Sequence, residues 1–203
     1  MTQSVYLVDA VRTPFGKAGS LYAESRADDL IVRAIRGLLE RNPQLPLDRI
    51  DDVAIAAATQ IGDQGLNLGR MAAILAGLPK SVPGYSIDRM CAGALTAVTT
   101  SASSIAFGAA DVVLAGGVEH MGRHPMGEGA DPNPRFVAEK IADQKALVMG
   151  ETAENLHDKF PQLTKERCDQ FALNSQLKTD GKSTRLNSSH MSELVCRLLL
   201  EKK

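Results

Sequence analysis

Three short runs of uninterrupted apolar residues constrain this chain more than any other feature. They are Val5-Tyr6-Leu7-Val8, Val53-Ala54-Ile55-Ala56 and Val112-Val113-Leu114-Ala115. A strand that alternates apolar and polar residues leaves one face to water, whereas a strand with no polar phase asks to be covered on both faces. Between the runs the period changes to that of a helix. Leu30, Ile31, Ala34, Ile35, Leu38 and Leu39 share one helical face, as do Leu68, Met71, Ala72 and Leu75. Strands alternating with helices predict an α/β chain with helices on both sides of a sheet. Boundary residues agree. Ser25, with Asp28 three residues on, is placed to cap the first helix, and Asn67 the second. Asn42-Pro43 ends the first, while Gly77 and Pro79 end the second.

In such sheets ligands sit beyond the carboxyl ends of the strands. The stretch Ser86-Ile87-Asp88-Arg89-Met90-Cys91-Ala92-Gly93-Ala94-Leu95 reads as a short strand, a corner with Cys91 at its tip, and a small-residue helix running to about Phe107, with Gly108 at its end. Its Ala, Ser and Thr content predicts close neighbours on several sides. The first turn of a helix leaves N–H groups unpaired and carries partial positive charge. That field favours thiolate, the nucleophilic form of cysteine, and the free amides suit an oxyanion. Cysteine is also a common buried small hydrophobe, so the residues alone leave both readings of Cys91 open.

Composition excludes several classes. Net charge is −1 with 23 Lys and Arg against 24 Asp and Glu, which gives no basic footprint for nucleic acid and no cationic face for a membrane. Three cysteines, Cys91, Cys168 and Cys196, lack C-x-x-C spacing, so neither a disulfide framework nor a zinc site is expected, and a reducing cytoplasm is the default compartment. The N-terminus lacks a basic segment followed by an apolar run, and no uninterrupted apolar stretch is long enough to span a bilayer. His120, just past a strand end, reads as structural, His124 beside Pro125 as a loop residue, and His157 as part of a polar helix face. No His and carboxylate spacing argues for metal.

Residues 118–150, rich in Gly, Pro, Met and charge, read as an excursion from the sheet. Helices resume from Thr152 to about Lys159 and from Thr164 to Gln176, where Cys168, Phe171 and Ala172 share a face that suits packing. From Asp180 the chain changes again. Gly181-Lys182-Ser183-Thr184-Arg185-Leu186-Asn187-Ser188-Ser189-His190 is similar to the conceptual translation of a sequencing-library adapter, so residues 180–203 are expected to be foreign to the domain. The other reading is an amphipathic helix through Leu194, Val195, Leu198 and Leu199. A foreign tail would form a loosely placed helix or no fixed contact.

Four blocks carry a family resemblance: Val8-Asp9-Ala10-Val11-Arg12-Thr13-Pro14-Phe15-Gly16, Asp88-Arg89-Met90-Cys91-Ala92-Gly93, Gly116-Gly117-Val118-Glu119-His120-Met121, and Met149-Gly150-Glu151-Thr152-Ala153-Glu154-Asn155. In this order and spacing the chain resembles the N-terminal part of a thiolase, the acetyl-CoA acetyltransferase and 3-ketoacyl-CoA thiolase family. The Glu119-His120-Met121-Gly122 block is most similar to the degradative branch of fatty-acid β-oxidation. The resemblance implies an α/β, three-layer αβα domain over residues 1–118, the start of an inserted loop domain over 119–179, and the tail over 180–203. It implies a CoA-dependent acyltransferase acting through an acyl-Cys91 intermediate, with coenzyme A as co-substrate and no bound cofactor or metal. Met149 would line the pantetheine tunnel, and Val148 stands where relatives often carry His. Acyl-CoA and CoA are the implied partners, with a homo-oligomer (dimer or tetramer) as the assembly and neither nucleic acid nor membrane. The family's activating His, second Cys and oxyanion-hole Asn have no matching position here, so the chain by itself is expected not to turn over. Two other readings stand beside this one: a β-ketoacyl synthase-like condensing enzyme, and a non-enzymatic acyl-CoA- or nucleotide-binding α/β module.

Overall fold

A computed structural model describes residues 4–186 and 196–202. Its centre is a mixed sheet of β1 (Val5–Val11), β2 (Asp52–Ala56), β3 (Tyr85–Ile87), β4 (Val112–Gly117) and β5 (Cys196–Lys202), in the order β1-β5-β4-β2-β3. Strands β3, β2 and β4 are mutually parallel, and β5 runs antiparallel to both β4 and β1. The crossovers are α1 (Ala27–Arg41), α2 (Leu68–Ala76) and α3 (Gly93–Phe107).

The doubly apolar strands divide their residues between two cores. Val53 and Ile55 of β2, with Val112 and Leu114 of β4, pack with Leu30, Ile31, Ile35 and Leu38 of α1 and with Leu68, Ala72 and Ala73 of α2. Ala54, Val113 and Ala115, the alternate residues of the same strands, pack with Ala97 and Ile105 of α3. This is the period-two alternation of a strand with both faces covered, and it gives the three αβα layers. Strand β1 departs from the expectation of two covered faces: Tyr6, Leu7 and Val8 stay exposed. Among the described residues it is an edge strand, with β5 as its one neighbour.

The helix ends show where local signals suffice. Asn67 caps α2 by accepting the Arg70 amide at 3.4 Å, and Gly77 closes it in the left-handed region at φ 96°. Ser25 does not cap α1. The cap position falls on Arg26, without a side-chain bond, and the Ala27 amide donates instead to Asp63 Oδ2 at 3.3 Å, from a loop 36 residues away. Helix α3 also departs from expectation, because only Gly93, Ala97, Ser101 and Ile105 are buried, a single stripe. Residues Met90–Phe107 have mean hydropathy 1.3 over 18 residues, long and apolar enough by length and composition to cross a bilayer, although Thr and Ser interrupt the run. Its apolarity comes from small residues, and the buried stripe packs it on β2 and β4.

The described chain forms two compact units, which divide after Gly129. Residues 119–129 stay with the first unit, where Glu119, His120 and His124 hydrogen-bond to Ala58, Tyr22 and Asp63. The second unit holds α4 (Arg135–Ala138), α5 (Met149–Lys159) and α6 (Lys165–Leu186). Cys168 and Phe171 lie exposed on α6 rather than packed.

The tail's expected helix or loose placement is corrected. Cys196–Lys202 pairs with β1 from Val5↔Lys202 to Val11↔Arg197, and with β4 from Val112↔Glu201 to Gly117↔Cys196. Backbone pairing explains this: β1 and β4 each present a row of N–H and C=O groups, and one extended segment satisfies both rows whatever its helix propensity. Leu194 and Val195 lie outside the described residues.

Candidate functional site

The carboxyl ends of three parallel strands come level at Ala56, Ile87 and Gly117, which are register partners across β3, β2 and β4. Beyond this line each chain turns into a polar segment. From Ile87 the corner forms within four residues. Asp88 Oδ1 accepts the Met90 amide at 3.0 Å, and Met90 is left-handed at φ 51°. The Ala92 amide donates to Arg89 O at 3.1 Å, closing a 3-10 turn over Met90–Ala92 that runs directly into α3. Cys91 sits within that turn, exposed, at the amino end of the helix. The strand-end position expected for it is therefore met, and the buried small-hydrophobe reading is not.

Small residues fix this helix start on the sheet. A Cβ on Gly93 would lie 2.8 Å from Ala56 Cβ, and one on Gly117 would lie 2.8 Å from Ala56 O and 3.0 Å from Ala94 Cβ. Both glycines are required for close approach, because real Cβ atoms do not come so near. The Val118 amide donates to Ala56 O at 2.9 Å on the same strand end. Ala56 is thus the contact through which β4 and α3 register on β2, a role that neither composition nor period reveals.

A buried polar network stands beside the corner. Glu119 Oε2 accepts the Ala58 amide at 2.7 Å, and its Oε1 accepts from Gln64 Nε2 at 3.0 Å. Gln64, fully buried, also donates to Thr59 O at 2.7 Å and accepts the His120 amide at 2.6 Å. His120, 1 % exposed, meets Tyr22 O through Nε2 at 3.0 Å, and since a carbonyl only accepts, Nε2 carries the proton. The structure buries His120 as a tie between segments. Next to it His124 Nε2 lies 2.5 Å from Asp63 Oδ1 and Nδ1 lies 3.1 Å from Glu128 Oε2, while Arg123 Nε donates to Asp63 Oδ2 at 3.0 Å. His124 is therefore more than a loop residue. Burial pushes the Asp63 carboxyl up, but the His124 bond, the Ala27 amide and the charges of Arg123 and His124 outweigh it and hold it below the usual range.

Met149 opens α5 in the second unit and is exposed, as is Val148 before it. His157 Nδ1 meets Leu163 O within that unit. Cys91 and Met149 belong to separate compact units. Among the described residues no group of three His, Cys, Asp or Glu side chains converges as a metal site. Sequence reading missed Asp63, Gln64 and the part played by Asp88. For Asp88 a signal was present, since Asp two residues before a bulky residue at a turn is a common side-chain-to-backbone motif.

Comparison with known proteins follows the same outline. Residues 5–185 match the family model for the thiolase N-terminal domain, which stops short of β5. The chain is 41% identical over 191 residues to the β-ketoadipyl-CoA thiolase of Pseudomonas knackmussii, covering 87% of this chain and 47% of that protein. It is 41% identical over 174 residues to the 3-ketoacyl-CoA thiolase of Cronobacter sakazakii, covering 85% and 44%. The chain thus spans about half the length of the curated relatives it matches. The acetyl-CoA acetyltransferase of Bacillus anthracis shares the fold, with a TM-score of 0.75 at 24% identity, over all of this chain and 66% of that one.

Proposed function

Because this chain belongs to the thiolase family through its N-terminal domain, we propose that it carries the nucleophile of a CoA-dependent acyltransferase and that Cys91 is the acyl acceptor. One observation carries the reading: within a thiolase domain, the exposed Cys91 lies at the strand–helix corner where β3 meets α3. An acyl group passed between thiols suits a sulfur nucleophile, and the helix start offers amides to the oxyanion that forms. In the thiolytic direction Cys91 Sγ attacks the 3-keto carbonyl of a 3-ketoacyl-CoA. The C2–C3 bond breaks, and its electron pair takes up at C2 a proton from solvent in place of the one the thiol gave to solvent; acetyl-CoA leaves and the shortened acyl group stays on Sγ as a thioester. Free CoA would then remove that group.

The names of the relatives point two ways on substrate, to β-ketoadipyl-CoA and to 3-ketoacyl-CoA. We place the substrate in the shared class, a 3-ketoacyl thioester of CoA, with Met149 on the pantetheine arm. Turnover needs a base and further oxyanion donors, for which this sequence has no matching positions, so the 203-residue chain acylates once and stops. We assign the tail over 180–203 an origin outside the domain; the family match ends at residue 185, which supports this for the stretch that includes β5 and not for residues 180–185. The whole enzyme is read as a homo-oligomer, supported by the exposed Leu95 and Phe107 on α3.

The test is incubation with acetoacetyl-CoA at neutral pH followed by peptide mass spectrometry. One acetyl group on Cys91, absent in Cys91→Ser, is the expected result. Acylation of Cys168 alone, or none at all, overturns the assignment, and multiple turnover overturns the single-acylation reading.

A further inference from the structure

The corner at Cys91 holds a bulky residue in a conformation it ordinarily avoids. Met90 is at φ 51°, and its side chain, 72% exposed, finds no packing that would compensate. Left-handed backbone at a residue other than glycine persists only where surrounding structure determines it. The bond from the Met90 amide to Asp88 Oδ1 pins the peptide plane from which that φ turns. Arg89, between them, is at φ −145° and ψ 38°, so the chain reverses over two residues before the 3-10 turn begins.

We propose that Asp88 is a positioning residue for Cys91: by accepting the Met90 amide, its carboxylate oxygen holds Met90 left-handed and so sets the Cys91 thiol against the amino end of α3. The purpose of that placement rests on the reading of Cys91 as acyl acceptor. The mechanical claim does not, because it concerns only how the corner is held. What Asp88 contributes is the hydrogen bond to the Met90 amide, not its charge.

Charge and hydrogen bond separate cleanly by substitution. Asp88→Asn removes the charge and keeps the Oδ1 acceptor, whereas Asp88→Ala removes both. The measurement is the rate of Cys91 alkylation by iodoacetamide in the full chain, from pH 6 to pH 10, read by peptide mass spectrometry, with the exposed Cys168 of the other unit as internal reference. Asp88→Asn is expected to alkylate at least as fast as the parent across this range. Asp88→Ala is expected to be slower than Asp88→Asn by about tenfold at pH 7, the population change that holding a bulky residue left-handed against its preference amounts to. Met90→Gly in the Asp88→Ala background is expected to restore the rate, because glycine takes positive φ without cost. Equal rates for Asp88→Asn and Asp88→Ala overturn the proposal, as does failure of the glycine to rescue a slow Asp88→Ala. The two readings fail separately. If acetoacetyl-CoA leaves Cys91 unmodified while the two Asp88 variants differ tenfold, the acyl-acceptor assignment falls and the positioning stands. If Cys91 is acylated and the two variants alkylate alike, the reverse holds.

Discussion

The two faces of the sheet are built from the same strands by opposite means. Toward α1 and α2 the strands present Val53, Ile55, Val112 and Leu114, which meet leucine and isoleucine side chains. Toward α3 they present Ala54, Val113 and Ala115, which meet Ala97 and Ile105. The first face gains stability from volume, at roughly 1.5–3 kcal/mol for each large side chain fully buried. The second gives up much of that gain for proximity. Alanine and glycine let α3 come down until Gly93 leaves no room for a Cβ beside Ala56. The proposed nucleophile sits at the second face. Cys91 precedes Gly93 by two residues, so the contact that sets the helix also sets the corner. A large-residue core tolerates slack through rotamer adjustment, whereas a backbone-to-backbone approach does not, and this is what a positioned nucleophile needs.

The contrast breaks most visibly on the large-residue face. Leu114→Ala, at a fully buried position, is expected to cost about 2–5 kcal/mol in urea denaturation. Its neighbour on the other face behaves inversely. Ala115→Leu overfills a site made for a methyl group and is expected to cost about 1–3 kcal/mol. A Leu114→Ala loss below about 1 kcal/mol, outside the range for buried leucines, would mean that this face does not rest on volume.

The next effect sharpens the proximity half of the comparison. Gly93→Ala puts a methyl group where only 2.8 Å separates it from Ala56 Cβ. The expected cost is about 1–3 kcal/mol, together with slower alkylation of Cys91. Ala56→Gly clears the obstruction, so the double variant is expected to recover much of the rate even though each glycine lowers stability. Independent, additive effects on the rate would show that the two residues do not share a contact.

A smaller effect is read by pH. Asp63 caps α1 through the Ala27 amide and holds Arg123 and His124. Its carboxyl is held below its ordinary value, so it contributes stability above the unfolded value, about 4. That contribution is lost as pH falls through the folded value. Asp63→Asn is therefore expected to lower stability at pH 6 by about 1 kcal/mol, the typical worth of a buried hydrogen bond. It is expected to lose less than the parent between pH 5 and pH 3. Parallel acid limbs for the two proteins would remove Asp63 from the linkage.

These details also mark where sequence stops being informative. The strands β2 and β4, the extents of α1 and α2, the Gly77 and Gly108 ends and the corner at Cys91 were legible because each rests on local chemistry: period, capping, or the φ freedom of glycine. The cap of α1 was not legible, since Asp63 reaches it from 36 residues away. Nor was β1 as an exposed edge, because a run such as Val5-Tyr6-Leu7-Val8 says that a strand forms and nothing of its place in the sheet order. The tail shows the same limit from the other side. Leu198 and Leu199 read as part of one face of a helix, yet they pair as a strand because the waiting rows of backbone groups, and not propensity, decide. At the site, Cys91 was legible from its corner, whereas Ala56, the contact under Gly93, looks like any other strand alanine.

The smallest expected effect tests how far the contrast extends around α3. Ala97, Ser101 and Ile105 recur at helical spacing and form its buried stripe, while Leu95 and Phe107 fall off that stripe, 68% and 90% exposed. A side chain already in water adds little by its removal. Phe107→Ser is therefore expected to change stability in urea by no more than about 0.5 kcal/mol, as for other surface substitutions. Phe107 is nonetheless a large apolar surface, and isolated chains bring such surfaces together. The same variant is expected to reduce light scattering at micromolar concentration. A loss above about 1 kcal/mol, beyond the range for exposed sites, would mean that Phe107 is covered in solution and that α3 packs on two sides, not one. Unchanged stability with unchanged scattering would leave the single buried stripe intact and move the self-association surface elsewhere, to Met71, Ile74 and Leu75 of α2, which are each about half as exposed as Phe107.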